Sequence, residues 1–432
     1  MSELEKGRVI KTKSFKTVKV VQKLGGGGQG IVYKVDYDGK PMALKWYYSK
    51  KIKNPDRFYA NIENNIKEGR PTEAFLWPED ITEWVDGTFG YVMPLRPPEY
   101  GDFSKYLLVR EKFESPLARV NAALNIVEGF MALHRTGCNY QDLNDGNFFV
   151  NFKTGDVLIC DNDNVMGHGD SSGIAGKPCY MAPEIVRGEK HPDKETDRFS
   201  LAVVLFLLLF VHHPLVGKAA CPPLLGPKEE KKIYGTDPVF VFDPDNDSNR
   251  PIEGIHVNAI KNWKRYPQYI RDAFIKAFSH DLMHAKMPRI LNSDWLKLFI
   301  RLRDEIIPCA CGKTIYADPT TLVTCDNPKC GKQFKIPAYL KFRKANLPLY
   351  PAMRLFACHT VYGSDDYRTA TAEVILSKNT NSMGIRNLSD AVWSVSGADG
   401  KAVPKGKGEV VKVASGLKFD FGDQVTAEII GN

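Results

Sequence analysis

NYQDLNDGNFFVN, residues 139–151, decides how this chain is read. It is polar and loop-like until an aromatic and β-branched run that can enter a strand. Asp142 precedes Asn147 by five residues, so one loop can offer a carboxylate as a proton acceptor and an amide oxygen to a hard cation. Asp161, at the end of the apolar strand DVLIC, can give a carboxylate to the same ion. Phosphoryl transfer asks a protein mainly for such positioning and charge neutralisation.

Upstream, residues 16–49 alternate apolar and polar positions around a glycine cluster, with DYDGK as a later turn, and read as an antiparallel meander. Gly25, Gly27 and Gly30 form GxGxxG, a weak signal alone because any hairpin gathers glycines and dinucleotide folds use the same spacing. A dinucleotide fingerprint opens a helix, whereas Ile31, Val32 and Tyr33 continue as strand, so hairpin N–H groups can lie over phosphates; a flexible hairpin without ligand is the alternative. MALK then sets Lys45 within a strand, where an amine needs an anionic partner, beside Ala43, small enough to lie under a flat base. Glu63 on the following helix, eighteen residues on, is the partner chosen, with Glu68 as competitor.

With 432 residues, 43% hydrophobic and 25% charged, the chain has room for two to four ordinary domains. The net charge of +8 is concentrated in residues 6–23 and 329–344, which read as tails and solvated faces; nucleic acid is not the expected partner. MSELEKGRVI lacks the apolar core of a secretory leader, and the apolar run at 201–211 is far short of the about 20 residues of a membrane span, so it reads as a buried helix. Nine cysteines without a leader suggest a reducing, cytoplasmic setting, where close pairs hold metal more often than they form disulfides.

Over residues 16–303 the chain resembles the eukaryotic-type (Hanks-type) protein kinases of bacteria. GGGGQGIV is similar to the glycine-rich loop, MALK to the strand lysine, YQDLNDGN to the catalytic loop, DND at 161–163 to the metal-binding triplet and YMAPE to the end of the activation segment, while Asp197 is similar to the aspartate that begins the buried helix. The resemblance implies an α+β, bilobal kinase fold that binds ATP and Mg2+. Gly25, Gly27, Gly30, Val32, Ala43, Lys45, Met93 and Leu95 would then lie around the nucleotide, Asn147 and Asp161 would hold Mg2+, and Asp142, Lys45 and Glu63 would serve catalysis. Glu184 would pair with Arg289. ALKWY, FLWP and the cysteine-rich module behind the kinase further resemble kinases encoded beside a von Willebrand-type protein and a PP2C-type phosphatase in tellurite-resistance clusters, which implies those two proteins as partners alongside protein substrates.

Several positions depart from the family. Tyr140 and Gln141 replace His and Arg before Asp142, removing the arginine that grips a phosphorylated activation loop. Ser171 and Ser172 are the hydroxyls available for autophosphorylation between Asp161 and Ala182. Asn144 replaces the lysine of serine/threonine kinases and Lys177 replaces a threonine, so Lys177 is expected to reach back towards Asp142 and the transferred phosphoryl group; a solvated lysine is the alternative. Asn162 replaces the phenylalanine of DFG, and Asp163 reads as a turn cap rather than a metal ligand. These losses admit an ATP-binding pseudokinase scaffold, but Lys45, Asp142, Asn147 and Asp161 all remain, which favours an active enzyme, and YMAPE with the bacterial resemblance implies Ser/Thr acceptors although the lysine that marks that class is absent.

Cys309, Cys311, Cys325 and Cys330 give CxC, thirteen residues, then CxxxxC, with Gly312 and Gly331 opening each knuckle: a structural zinc ribbon, with disulfides the alternative. The remaining segment alternates β-formers with turn residues and reads as a small all-β, sandwich-like domain; GIRNLSDAVW is loosely similar to a forkhead-associated domain, with Arg386 and Ser389 as phosphopeptide contacts, but a plain sandwich is preferred. The expected order is an N-terminal tail (1–15), kinase N-lobe (16–95), C-lobe (96–305), zinc ribbon (306–345) and β-rich domain (346–432).

Overall fold

The structure, a computed structural model, describes residues 3–52, 54–167, 176–220, 226–325, 327–377 and 382–431. The chain divides into two compact units, one of residues 1–114 and 121–293, the other of residues 115–120 and 294–432.

In the first unit, β1 (Val9–Lys11), β2 (Thr17–Gly26), β3 (Gly30–Tyr37), β4 (Lys40–Tyr47), β5 (Asp80–Ile81) and β6 (Gly90–Pro94) form one antiparallel sheet in the order β1-β2-β3-β4-β6-β5. Alternation produces it: Val18, Val20, Ile31, Tyr33, Val35, Leu44, Trp46 and Val92 share one buried cluster. The stretch read as a tail supplies β1, and Ile10 is buried there. DYDGK turns at Asp38 and Gly39, both left-handed, with Gly39 N–H donating to the Asp36 carboxylate at 2.7 Å.

The glycines of the β2–β3 turn have different reasons to be glycine. At Gly30 an added Cβ would lie 2.2 Å from the Trp46 carbonyl oxygen, so strand packing forbids a side chain. Gly25 and Gly27 have nothing within 4 Å of that position, while the Gly27 N–H donates to the Gly30 carbonyl at 2.9 Å.

Helix α1 (Pro55–Glu68) starts with proline in its first turn and buries Phe58, Ile62 and Asn65, one face at helical spacing. The helix Lys194–Phe210 begins with a reciprocal cap between Asp193 and Thr196 and is buried at every position from Phe199 to Phe210, as the apolar run requires. Glu184 and Arg289 form a bidentate ion pair, both distances 2.8 Å, with each side chain 5% exposed. Arg289 also donates to the Glu195 carbonyl at 3.0 Å.

In the second unit, two hairpins (Ile306–Pro308 with Thr314–Tyr316, and Val323–Thr324 with Gln333–Phe334) carry the two cysteine pairs. Beyond them lie a six-stranded and a four-stranded antiparallel sheet whose buried side chains, Leu340, Leu355, Val374, Ile385, Trp393, Phe419 and Ile429 among them, make one core. The strand Ala338–Phe342 falls within the segment read as ribbon, yet it pairs with Thr426–Gly431 as part of the larger sheet. Arg386 sits opposite Glu373 and bonds it at 3.0 Å, while Ser389 donates twice to the Asn387 side chain, so both residues named for phosphopeptide contact have partners within the fold. Among the described residues no helix is long and apolar enough to cross a membrane.

Removing one partner of a buried bidentate pair leaves a charge without compensation. Arg289→Ala is expected to lower stability by about 3–5 kcal/mol, measured by urea denaturation, with a smaller loss for the double variant that also carries Glu184→Gln.

Candidate active site

The site is built around a buried carboxylate. Asp197 accepts the Tyr140 backbone N–H at 2.7 Å and lies 3.0 Å from His134 Nε2, while the other ring nitrogen of His134 is 3.1 Å from the Asn292 amide. The catalytic loop therefore hangs from the start of a fully buried helix. Tyr140 then reaches forward: its hydroxyl donates to the Cys160 carbonyl and, at 3.1 Å, to the Asp161 carbonyl. Asp161 has φ 58°, a left-handed conformation that aspartate tolerates better than most residues.

Beyond Tyr140, Asn144 organises the loop. Its side chain accepts the Gly146 N–H at 3.0 Å, its own N–H donates to Asn147 Oδ1 at 2.6 Å, and its amide donates to the Asp142 carbonyl at 3.0 Å and to Asp142 Oδ1 at 3.4 Å. Asn147 is buried, and its backbone carbonyl accepts the Cys160 N–H at 2.9 Å, which brings it beside the strand that ends at Asp161. The Asn147 amide oxygen keeps a second lone pair and the Asp161 carboxylate is 39% exposed, so these two residues fit a magnesium ion.

Lys45 is 6% exposed, opposite Val32 on β3 and Tyr91 on β6. Its ammonium lies 2.9 Å from Asp161 Oδ1 and 3.0 and 2.9 Å from the two oxygens of Asp163. Burial alone would lower its pKa, but the two carboxylates outweigh burial and hold it above its ordinary value. Asp163 has no exposed surface and takes further hydrogen bonds from Tyr47 OH at 2.6 Å and Tyr91 OH at 3.3 Å. Two expectations are corrected here. Glu63 does not meet Lys45; it lies beside Ile62, about 100° around the helix from that buried side chain, and pairs with Lys13. Glu68, the competitor, is exposed at the end of α1. Asp163 is no turn cap but a second counter-ion of the lysine.

α1 instead approaches the triplet through amides: Asn61 and Asn65 donate to the Val165 carbonyl at 2.9 and 3.1 Å. Among the residues named for the nucleotide, Val32, Ala43, Met93 and Leu95 belong to one apolar cluster, together with Phe149, Leu158 and Cys160, which had not been singled out as nucleotide contacts. Lys177 does reach the catalytic loop, but its ammonium bonds Asp145 Oδ1 at 3.0 Å. The chain passes close to Asp142 here, since a Cβ added at Gly176 would lie 3.3 Å from Asp142 Oδ1. Ser171 and Ser172 lie outside the described residues.

In the second unit, the sulfurs of Cys309, Cys311, Cys325 and Cys330 all lie within 4.8 Å of one another, with Cys309–Cys330 at 3.9 Å and Cys311–Cys325 at 3.7 Å. Four thiolates about 2.3 Å from a tetrahedral ion are about 3.8 Å apart, so this cluster fits a metal and is too open for disulfides.

With this geometry in place, comparison with known proteins is direct. Residues 18–221 match the family described as protein kinase domain. The chain is 25% identical over 256 residues to a probable L-type lectin-domain containing receptor kinase of Arabidopsis thaliana, covering 56% of this chain and 33% of that protein. It is 26% identical over 250 residues to a leucine-rich repeat serine/threonine-protein kinase of Mus musculus, covering 49% and 12%. The chain thus spans a third or less of these two relatives. The crystal structure of the Mycobacterium tuberculosis PknI kinase domain is 24% identical, with a TM-score of 0.38, covering 54% of this chain and 88% of that one.

Burial raises the Asp142 carboxyl to about 6, and repulsion from Asp161 adds to this, while the Asn144 amide and the charges of Lys177 and Lys45 pull the other way. Because this folded-state pKa exceeds the unfolded value, ionised Asp142 weakens the fold at neutral pH and does so less as pH falls through about 6. In the metal-free protein the carboxyl should titrate near 6 by carbon NMR; Asp161→Asn, removing the like charge, should lower that midpoint.

Proposed function

We propose that this chain is an ATP- and magnesium-dependent protein kinase acting on Ser/Thr hydroxyls of proteins, and that it also phosphorylates itself. The observation that carries the reading is the meeting of Lys45, Asp142, Asn147 and Asp161 in one site, each held by hydrogen bonds or ion pairs from the fold. Asp142 accepts the proton of the substrate hydroxyl, and its raised pKa suits a base that must release that proton again. Lys45 meets the nucleotide phosphates, the turn at Gly25 and Gly27, with free space where side chains would stand, lies over them, and the apolar cluster around Ala43 and Met93 takes the adenine. Magnesium bound at Asn147 and Asp161 would neutralise charge on the phosphates.

Lys177, anchored by Asp145 near Asp142, supplies the positive charge that Asn144 cannot. Gln141 leaves the loop without an arginine clamp, so activation does not pass through a phosphorylated segment. The four cysteines hold a structural zinc, and the paired sheets behind them form a sandwich for protein contacts. The resemblance to tellurite-resistance kinases suggests a cytoplasmic setting and the von Willebrand-type and PP2C-type proteins as partners.

Phosphate incorporation into the protein and a generic acceptor, followed by mass spectrometry, tests the activity. Wild type should label and Asp142→Asn should not; equal labelling would replace the enzyme with a nucleotide-binding scaffold. In the same assay Lys45→Met should abolish labelling and Lys177→Met should slow it about tenfold, the loss of about 1.4 kcal/mol of transition-state stabilisation. For the cysteine module, elemental analysis should find one zinc per chain, lost together with protease resistance of residues 306–337 in Cys325→Ser.

A further inference from the structure

The buried ammonium of Lys45 needs a permanent counter-ion, and the structure offers candidates from two directions. Asp161 is the less suitable: its carboxylate is 39% exposed and is needed for the metal once nucleotide arrives. α1 contributes no candidate, because its acidic residues are Asp56 and Glu68, both exposed, and Glu63, paired with Lys13. The helix turns Phe58, Ile62 and Asn65 inward instead; Phe58 packs edge-on against Tyr47 at 5.3 Å, and Ile62 is completely buried in the same cluster as Tyr47 and Tyr91.

Asp163 meets every requirement. It is fully buried, both its oxygens contact the Lys45 ammonium, and two tyrosine hydroxyls donate to those oxygens, which fixes the carboxylate. Tyr47 stands on β4, the lysine's own strand and two residues beyond it, and Tyr91 stands directly opposite the lysine on β6, so sheet pairing sets the whole arrangement. We infer that Asp163 is the positioning residue that orients Lys45 towards the nucleotide phosphates, in place of any carboxylate from α1. It follows that the lysine is oriented wherever strand β4 and the 161–163 triplet are folded, and that displacing α1 does not release it. The inference rests on the nucleotide-binding part of the kinase reading.

Binding of adenosine and of the magnesium complex of the β,γ-imido analogue of ATP, measured by calorimetry on the full chain, tests this. Asp163→Asn should weaken the phosphate-bearing ligand about tenfold, the scale of one lost charge-assisted contact, and leave adenosine within about twofold. Glu63→Gln should leave both ligands within about twofold of wild type. An unchanged affinity of Asp163→Asn for the phosphate-bearing ligand overturns the inference, and so does a parallel loss of adenosine, which would mean that Asp163 only supports the fold. Should Asp163→Asn not fold, Tyr47→Phe keeps the ring, removes one donor to Asp163 and is judged by the same two ligands: a selective loss supports the inference, an equal loss or none overturns it. Neither measurement needs phosphoryl transfer, so an inert wild type would refute the proposed activity and leave this assignment standing or falling on its own.

Discussion

The hydrogen bond from the Tyr140 backbone to the Asp197 carboxylate is the constraint on which the site depends. A carboxylate buried this deeply is tolerable only when it is hydrogen-bonded, and here the loop amide and His134 both meet its Oδ2. From Phe199 to Phe210 the helix that carries Asp197 is buried on every side and cannot shift without opening the core, so the loop inherits the rigidity of that core. Tyr140 passes the constraint on, its hydroxyl holding the carbonyls at Cys160 and Asp161. Asp142 and Asp161 are thereby referred to one fixed point.

The other half of the site is referred to the sheet. Lys45, Tyr47 and Tyr91 keep their places through β4–β6 pairing, and Gly30 lets β3 approach β4 closely enough for that register to continue. The triplet 161–163 joins the halves, since Asp161 and Asp163 both close on the lysine. Salt bridges between exposed groups contribute little to such an arrangement, whereas this one is desolvated and strengthened by additional donors.

Much of this was legible in the chain. Alternation gave the strands around the glycine cluster, the apolar run gave the buried helix, and the spacing of Asp142, Asn147 and Asp161 picked out three residues that the fold brings near one another. Glu63 misled because sequence distance from Lys45 was weighed and helical phase was not: Ile62 must face the core, which turns its neighbour away. Asp163 was missed because an Asp two residues after another Asp resembles a turn, and only three-dimensional closure shows it meeting a lysine 118 residues earlier. Lys177 was expected at the loop and is there, but it is Asp145, unremarkable in a polar stretch, that anchors its ammonium. The strand Ala338–Phe342 was taken for part of the ribbon because its partner, Thr426–Gly431, is remote in sequence.

Around the catalytic loop stand four aspartates, Asp142, Asp145, Asp161 and Asp163, and only two of the lysines described above, Lys45 and Lys177. Such a cleft repels a free polyphosphate and attracts a divalent cation. On the proposed reading, nucleotide and metal gain most by arriving as a pair, with the cation offsetting the aspartates as the phosphates meet the lysine. Affinity for that nucleotide would then follow magnesium supply as much as nucleotide supply, and occupancy would depend on the ionic state of the surroundings as well as on their energy charge.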